Sequence, residues 1–177
     1  MIEIVLSAGL LMVSACTGSD AAGKSGSLKG LENEASIVNP DASAESTWVY
    51  GSLPVCVVTG GPATLTALRL ESTGGVELVA AGIRASSDGG TAIADAAGPL
   101  PAAYTRIPGA SVTGACDAGP VTELAFEVKP SLAASARIRC VELAYRDGTG
   151  THTLRYPFTV VLCSSPKVTD LPECSSG

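Results

Sequence analysis

The stretch Tyr145-Arg146-Asp147-Gly148-Thr149-Gly150-Thr151-His152-Thr153-Leu154 joins two alternating runs through one Asp-Gly step. Asp and Gly both tolerate positive φ, and Asp-Gly between alternating segments is a strong short-range hairpin signal. Downstream, residues 152–162 put Leu154, Tyr156, Phe158, Val160 and Leu162 at alternate positions, the most regular strand pattern in the chain. Upstream, residues 136–146 change phase. Ile138 and Cys140 share one parity, while Val141, Leu143 and Tyr145 share the other. A bulge near Cys140 reconciles the two. Before that, residues 121–128 alternate without a break: Leu124, Phe126 and Val128 on one face, Glu123 and Glu127 on the other. This is the pattern of a half-buried antiparallel strand with its carboxylates in water.

The same punctuation extends toward the N-terminus. Residues 48–59 read as a strand, with Pro54 marking an edge or a bulge. Gly60-Gly61-Pro62 is a turn, residues 63–71 a second strand, and Ser72-Thr73-Gly74-Gly75 turns it into a third over 76–85. About seven short strands separated by turns predict an all-β fold, an antiparallel β-sandwich of the immunoglobulin or fibronectin type III kind. Residues 86–120 form a long interval rich in Gly, Ala, Pro and Asp, with 102–107 read as a short strand. Loops of this length are usually functional or poorly ordered.

The composition agrees with strands. Ala, Gly, Thr, Val and Ser dominate, and strong helix formers are few. The length of 177 residues allows one domain plus tails. The net charge of -6 and the lack of any Lys/Arg run argue against a nucleic-acid partner, which needs a basic footprint.

Residues 4–13 are an apolar run too short to span a bilayer and of the right length for a signal-peptide core. The run ends in Val13-Ser14-Ala15-Cys16, which resembles the bacterial lipobox: an aliphatic residue, two small residues and the cysteine that is lipidated. One departure is that Met1-Ile2-Glu3 carries an acidic residue where such peptides begin with Lys or Arg. The resemblance implies a signal peptide over 1–15, acyl chains on Cys16, and a membrane partner at the extracytoplasmic face of a bacterial cell. Several acyl chains anchor stably where one would not. Residues 16–46 lack a sustained apolar period and read as a flexible tether, with at most a helical turn over 28–37. The sandwich is then expected over 47–163 and a loose tail over 164–177.

Several short pieces share a further likeness. They are Pro54-Val55-Cys56-Val57, Gly61-Pro62 with the strand after it, Cys116-Asp117, and Tyr145-Arg146-Asp147-Gly148 followed by the strand ending Val161-Leu162-Cys163. Together they resemble the small secreted and lipid-anchored proteins of unknown function common in high-GC actinobacteria. That resemblance implies an immunoglobulin-like domain and carries no activity with it.

Lipidation of Cys16 leaves Cys56, Cys116, Cys140, Cys163 and Cys174, an odd number in an oxidising setting. Cys163 lies opposite in parity to the apolar face of its strand, so it looks away from the core, toward Cys174 or a strand-edge cysteine such as Cys56. The favoured bridges are Cys116–Cys140 and Cys56–Cys163, with Cys174 left free. No Cys-x-x-Cys or Cys/His spacing suggests a metal.

His152 is the single histidine, and no Gly-x-Ser-x-Gly elbow exists. It is expected to be exposed and inert, so no catalytic residue and no cofactor are assigned. Arg137 and Arg139 share one strand face, read as solvated or as a small polar contact patch. The expected function is a non-catalytic, membrane-anchored module that contacts another envelope protein or serves a structural role. The alternative is binding of a small ligand or metal ion through 86–120, with Asp88, Asp95, Tyr104 and Asp117 as its polar groups.

Overall fold

Phe126 lies between two other rings, 5.9 Å from Tyr50 and 6.2 Å edge-on from Phe158, centroid to centroid, and these rings fill the space between two facing sheets. The computed structural model describes residues 26–30, 35–42, 46–85, 95–118, 121–131, 134–164 and 171–175. Twelve strands lie among them: β1 (Leu28–Lys29), β2 (Ala35–Asn39), β3 (Trp48–Val57), β4 (Ala63–Thr73), β5 (Val76–Ala85), β6 (Asp95–Ala97), β7 (Thr105–Arg106), β8 (Ser111–Val112), β9 (Thr122–Pro130), β10 (Ala136–Asp147), β11 (Gly150–Tyr156) and β12 (Phe158–Leu162). A short 3-10 turn, Pro172–Ser175, follows. The protein is an all-β sandwich, as the alternation predicts. Eight strands have five or more residues, and the others are two- or three-residue edges that periodicity cannot register.

The first sheet runs β1-β3-β9-β5-β7, with β6 also on β3, and the second runs β2-β12-β10-β4-β8, with β11 also on β10. All pairings are antiparallel except β2 with β12. β10 is the spine of the second sheet: Leu143 stands between Leu68 of β4 and Leu154 of β11. The register shift between Ile138 and Cys140 is the expected bulge. The regular run 152–162 is two strands, because Pro157 has no N–H to continue the ladder. Tyr156 and Phe158 on either side of it both stay in the core.

The hairpin is present, but its turn sits one residue later than the Asp-Gly reading. Asp147 pairs with Gly150, so Gly148 and Thr149 form the turn. Gly150, at φ 147°, supplies the positive φ. Asp147 acts instead through its carboxylate, which accepts from Thr149 N at 2.7 Å and Gly150 N at 3.2 Å. This is an Asx turn.

Both ends of the domain lie outside the expected bounds. Part of the tether expected over 16–46 is structured as strands rather than as a helical turn: β1 pairs with β3, and β2 runs parallel to β12. Backbone pairing at an open sheet edge needs no apolar period, which is why composition suggested a linker. In the tail expected to be loose, Cys174 is bonded to Cys163, and Leu171 packs on the cluster of Val161, Cys163 and Cys174.

Candidate functional site

Of the four residues expected to line a ligand loop, three are described, and they lie on different segments. Asp95 is exposed on β6, Asp117 is exposed beyond β8, and Asp88 lies outside the described residues. Tyr104 is buried, 3% exposed, and faces inward. Its segment is a strap over the outer face of the first sheet. Leu100 and Tyr104 pack there on Val49 and Ala125, with Ala80 alongside.

The strap explains why the carboxylates of β9 are not in water. Glu123 is 4% exposed and Glu127 5%. Glu127 accepts from Leu100 N at 3.0 Å. Glu123 Oε1 accepts from the Tyr104 hydroxyl at 2.8 Å and from Ser52 N at 3.2 Å, and Oε2 accepts from Arg84 Nε at 2.8 Å. Ser52 sits at φ 61° in the β3 bulge, which turns its N–H toward the carboxylate. The Arg84 guanidinium lies 5.1 Å over the Tyr104 ring. Burial, then the hydrogen bond to Glu123, then its charge, push the Tyr104 hydroxyl well above the usual phenol range. The bond to Glu123 likewise holds the Arg84 guanidinium in its charged form.

The expectation that Glu123 and Glu127 face solvent is thus corrected. Small residues carried the missed signal. A Cβ on Gly82 would meet Thr105 O at 2.9 Å and Tyr104 Cβ at 3.0 Å, so the strap needs glycine there. Both oxygens of Glu123 and Oε2 of Glu127 have a donor. These bonds pin the strap to the sheet.

The second polar cluster lies at the hairpin. His152 is not fully exposed, its side chain being 15% accessible. Its Nε2 lies 3.1 Å from Asp147 Oδ1 and 2.9 Å from Thr149 Oγ1. A triad uses one imidazole nitrogen for the carboxylate and the other for the nucleophile. Here both contacts fall on Nε2, so the cluster has no relay geometry. Hydrogen bonds from the Thr149 hydroxyl and Thr149 N, with a further one from Ser27 N, hold the Asp147 carboxyl well below the usual carboxylate range. The chain segment 26–30 closes over this cluster. Leu28 N donates to the Tyr145 hydroxyl at 3.4 Å, and a Cβ on Gly26 would collide with Tyr145 and His152.

The cysteines pair differently from the favoured scheme. Cys56 is bonded to Cys116 and Cys163 to Cys174. Cys163 does look away from the core, and the tail, rather than β3, reaches it. Val57 N donates to Gly114 O and Cys116 N to Val57 O, which sets Cys116 beside Cys56. Cys140 takes part in a disulfide as well, and none of the described cysteines is a free thiol. Expected pairings Cys116–Cys140 and Cys56–Cys163, and a free Cys174, are therefore set aside.

Comparison with protein-family models, with curated proteins and with solved structures finds no match.

Among the described residues no group of three His, Cys, Asp or Glu side chains is placed to hold a metal ion. No helix among them is long and apolar enough to cross a membrane. A shallow, open depression lies between Gly75-Val76-Glu77 and Lys129-Pro130-Ser131, away from every residue expected to bind a ligand.

Proposed function

We propose that this chain is a non-catalytic module held at the extracytoplasmic face of a bacterial membrane by acyl chains on Cys16, where its sandwich contacts another envelope protein. The observation that carries the reading is the apolar run that ends in Val13-Ser14-Ala15-Cys16. Two features support it. Bridges Cys56–Cys116 and Cys163–Cys174 suit an oxidising compartment, since cytosolic thiols are kept reduced. The buried cluster around Glu123 and the part-buried one around Asp147 are hydrogen-bonded within the fold, which fits a scaffold.

Metabolic labelling with an alkynyl fatty acid in a bacterium that processes lipoproteins tests the anchor. Wild-type protein should take up label and sediment with membranes, and Cys16→Ala should do neither. An unlabelled mature chain that keeps residues 1–15 would overturn the anchor. Crosslinking on intact cells tests the contact: a defined envelope partner should be recovered, and nonspecific background alone would overturn that half.

A further inference from the structure

The sequence contains no run of basic residues, yet folding gathers five of its seven arginines on the outer face of the second sheet. Arg69, Glu142 and Arg155 stand in one rung across β4, β10 and β11. Arg146 stands in another between Thr64 and Thr151, and Arg137 in a third beside Thr73 and Val161. Arg139 is exposed at the bulge. Three glutamates share the face. Glu142 and Glu71 meet Arg155 at 2.6 and 3.6 Å, and Glu173 meets Arg137. Arg69, Arg139 and Arg146 are exposed and make no ion pair with a carboxylate of the described residues. Between them lie the short side chains of Thr64, Ala67, Ala144 and Thr153, while the tail packs over Val161 at the Arg137 end of the face.

We propose that this arginine face lies against the anionic headgroups of the lipid surface to which the chain is anchored. The inference rests on the anchor reading above. Gly26 is packed on the inward-facing ring of Tyr145, so the chain enters the domain on the inner side of the second sheet, at the hairpin end where Arg146 stands on the outer side. Nine residues separate Cys16 from Gly26, and the ten steps between them span at most roughly 33–36 Å in any conformation. A domain expected to hang on thirty residues is thus held near the membrane. The net charge of -6 becomes -5 once residues 1–15 with Glu3 are removed, so an anionic surface repels the chain in most orientations. The orientation that brings the unpaired arginines within the Debye length of about 8–10 Å is the one in which attraction wins. A short leash, an acidic body and one basic face select a lipid surface over an acidic protein, which needs no such proximity.

The test uses the acylated full chain on vesicles of phosphatidylcholine alone or with phosphatidylglycerol, read by phenylglyoxal modification of individual arginines. On anionic vesicles Arg69, Arg139 and Arg146 should react about fivefold more slowly than on neutral ones. Arg106, on the first sheet, should not change, and molar salt should erase the difference. Equal reactivity on both vesicles, with the protein floating on each, overturns the face and leaves the anchor standing. Failure to float overturns the anchor, and the inference with it. Shielding on native envelopes but not on anionic vesicles reassigns the face to another acidic partner and overturns the lipid assignment.

Discussion

The Tyr104 hydroxyl donates to Glu123 Oε1 at 2.8 Å, fixing the strap to the first sheet through a carboxylate that also holds Arg84. Tyr104→Phe keeps the ring on Ala125 and removes one donor to a charged acceptor, so it should cost about 1.5–3 kcal/mol in urea unfolding. Glu123→Ala removes the acceptor of Tyr104, Arg84 and the Ser52 N–H together and should cost more than Tyr104→Phe. A Tyr104→Phe protein with an unchanged midpoint would show that the strap is held by packing alone.

Buried phenols set the alkaline limit. Burial, only partly offset by the Asn39 hydrogen bond, pushes Tyr50 up to about 12, and burial raises Tyr156 further. Above pH ~10 the unfolded chain loses these protons while the fold keeps them. The unfolded state then binds fewer protons, so stability falls as pH rises, by about 1.4 kcal/mol per pH unit for each such phenol. Replacing Tyr50 by Phe should flatten this limb by the share of one proton, measured as Tm against pH from 9 to 12.

The acid limb belongs to Asp147. Its carboxyl is held low by the Thr149 hydroxyl and N–H, with Ser27 N on its other oxygen. A depressed folded value means that the stabilisation is complete above the ordinary Asp range near pH ~4 and is lost as pH falls toward the folded value. Asp147→Asn should therefore start with a lower Tm at neutral pH and lose less of it between pH 4 and 2. Parallel acid limbs would show that Asp147 contributes nothing through its charge.

How far the sequence could be read depended on what each residue's neighbours were. Leu124, Phe126 and Val128 alternate because one sheet face is buried locally, and the strand followed. Glu123 and Glu127 obey the same alternation, but a segment about twenty residues earlier covers them, and period carries no information about a third layer. Arg69 and Arg155 are 86 residues apart in sequence and share a rung only through Glu142. The parity of Cys163 told which way it points, yet its partner depended on where the tail folds back.

Breaking Cys163–Cys174, which closes a separation of 11 residues, should cost about 3 kcal/mol on loop entropy, and Cys56–Cys116, at 60, about 4. Chemical denaturation of Cys174→Ser and Cys116→Ser variants measures both. Peptide mapping without reduction adds a decisive check. An acyl thioether and a disulfide cannot share one sulfur, so finding Cys140 bridged to Cys16 in the mature protein would falsify the anchor.

The stretch from Gly26 to Asn39 has a mechanical consequence. It lays two rungs on β3 in one sheet and five on β12 in the other. Traction on the amino end therefore falls first on the two rungs of β1 and reaches the five of β2, in the other layer, once those have given way. The seam that stitches the layers together is also the point from which the molecule would be hung.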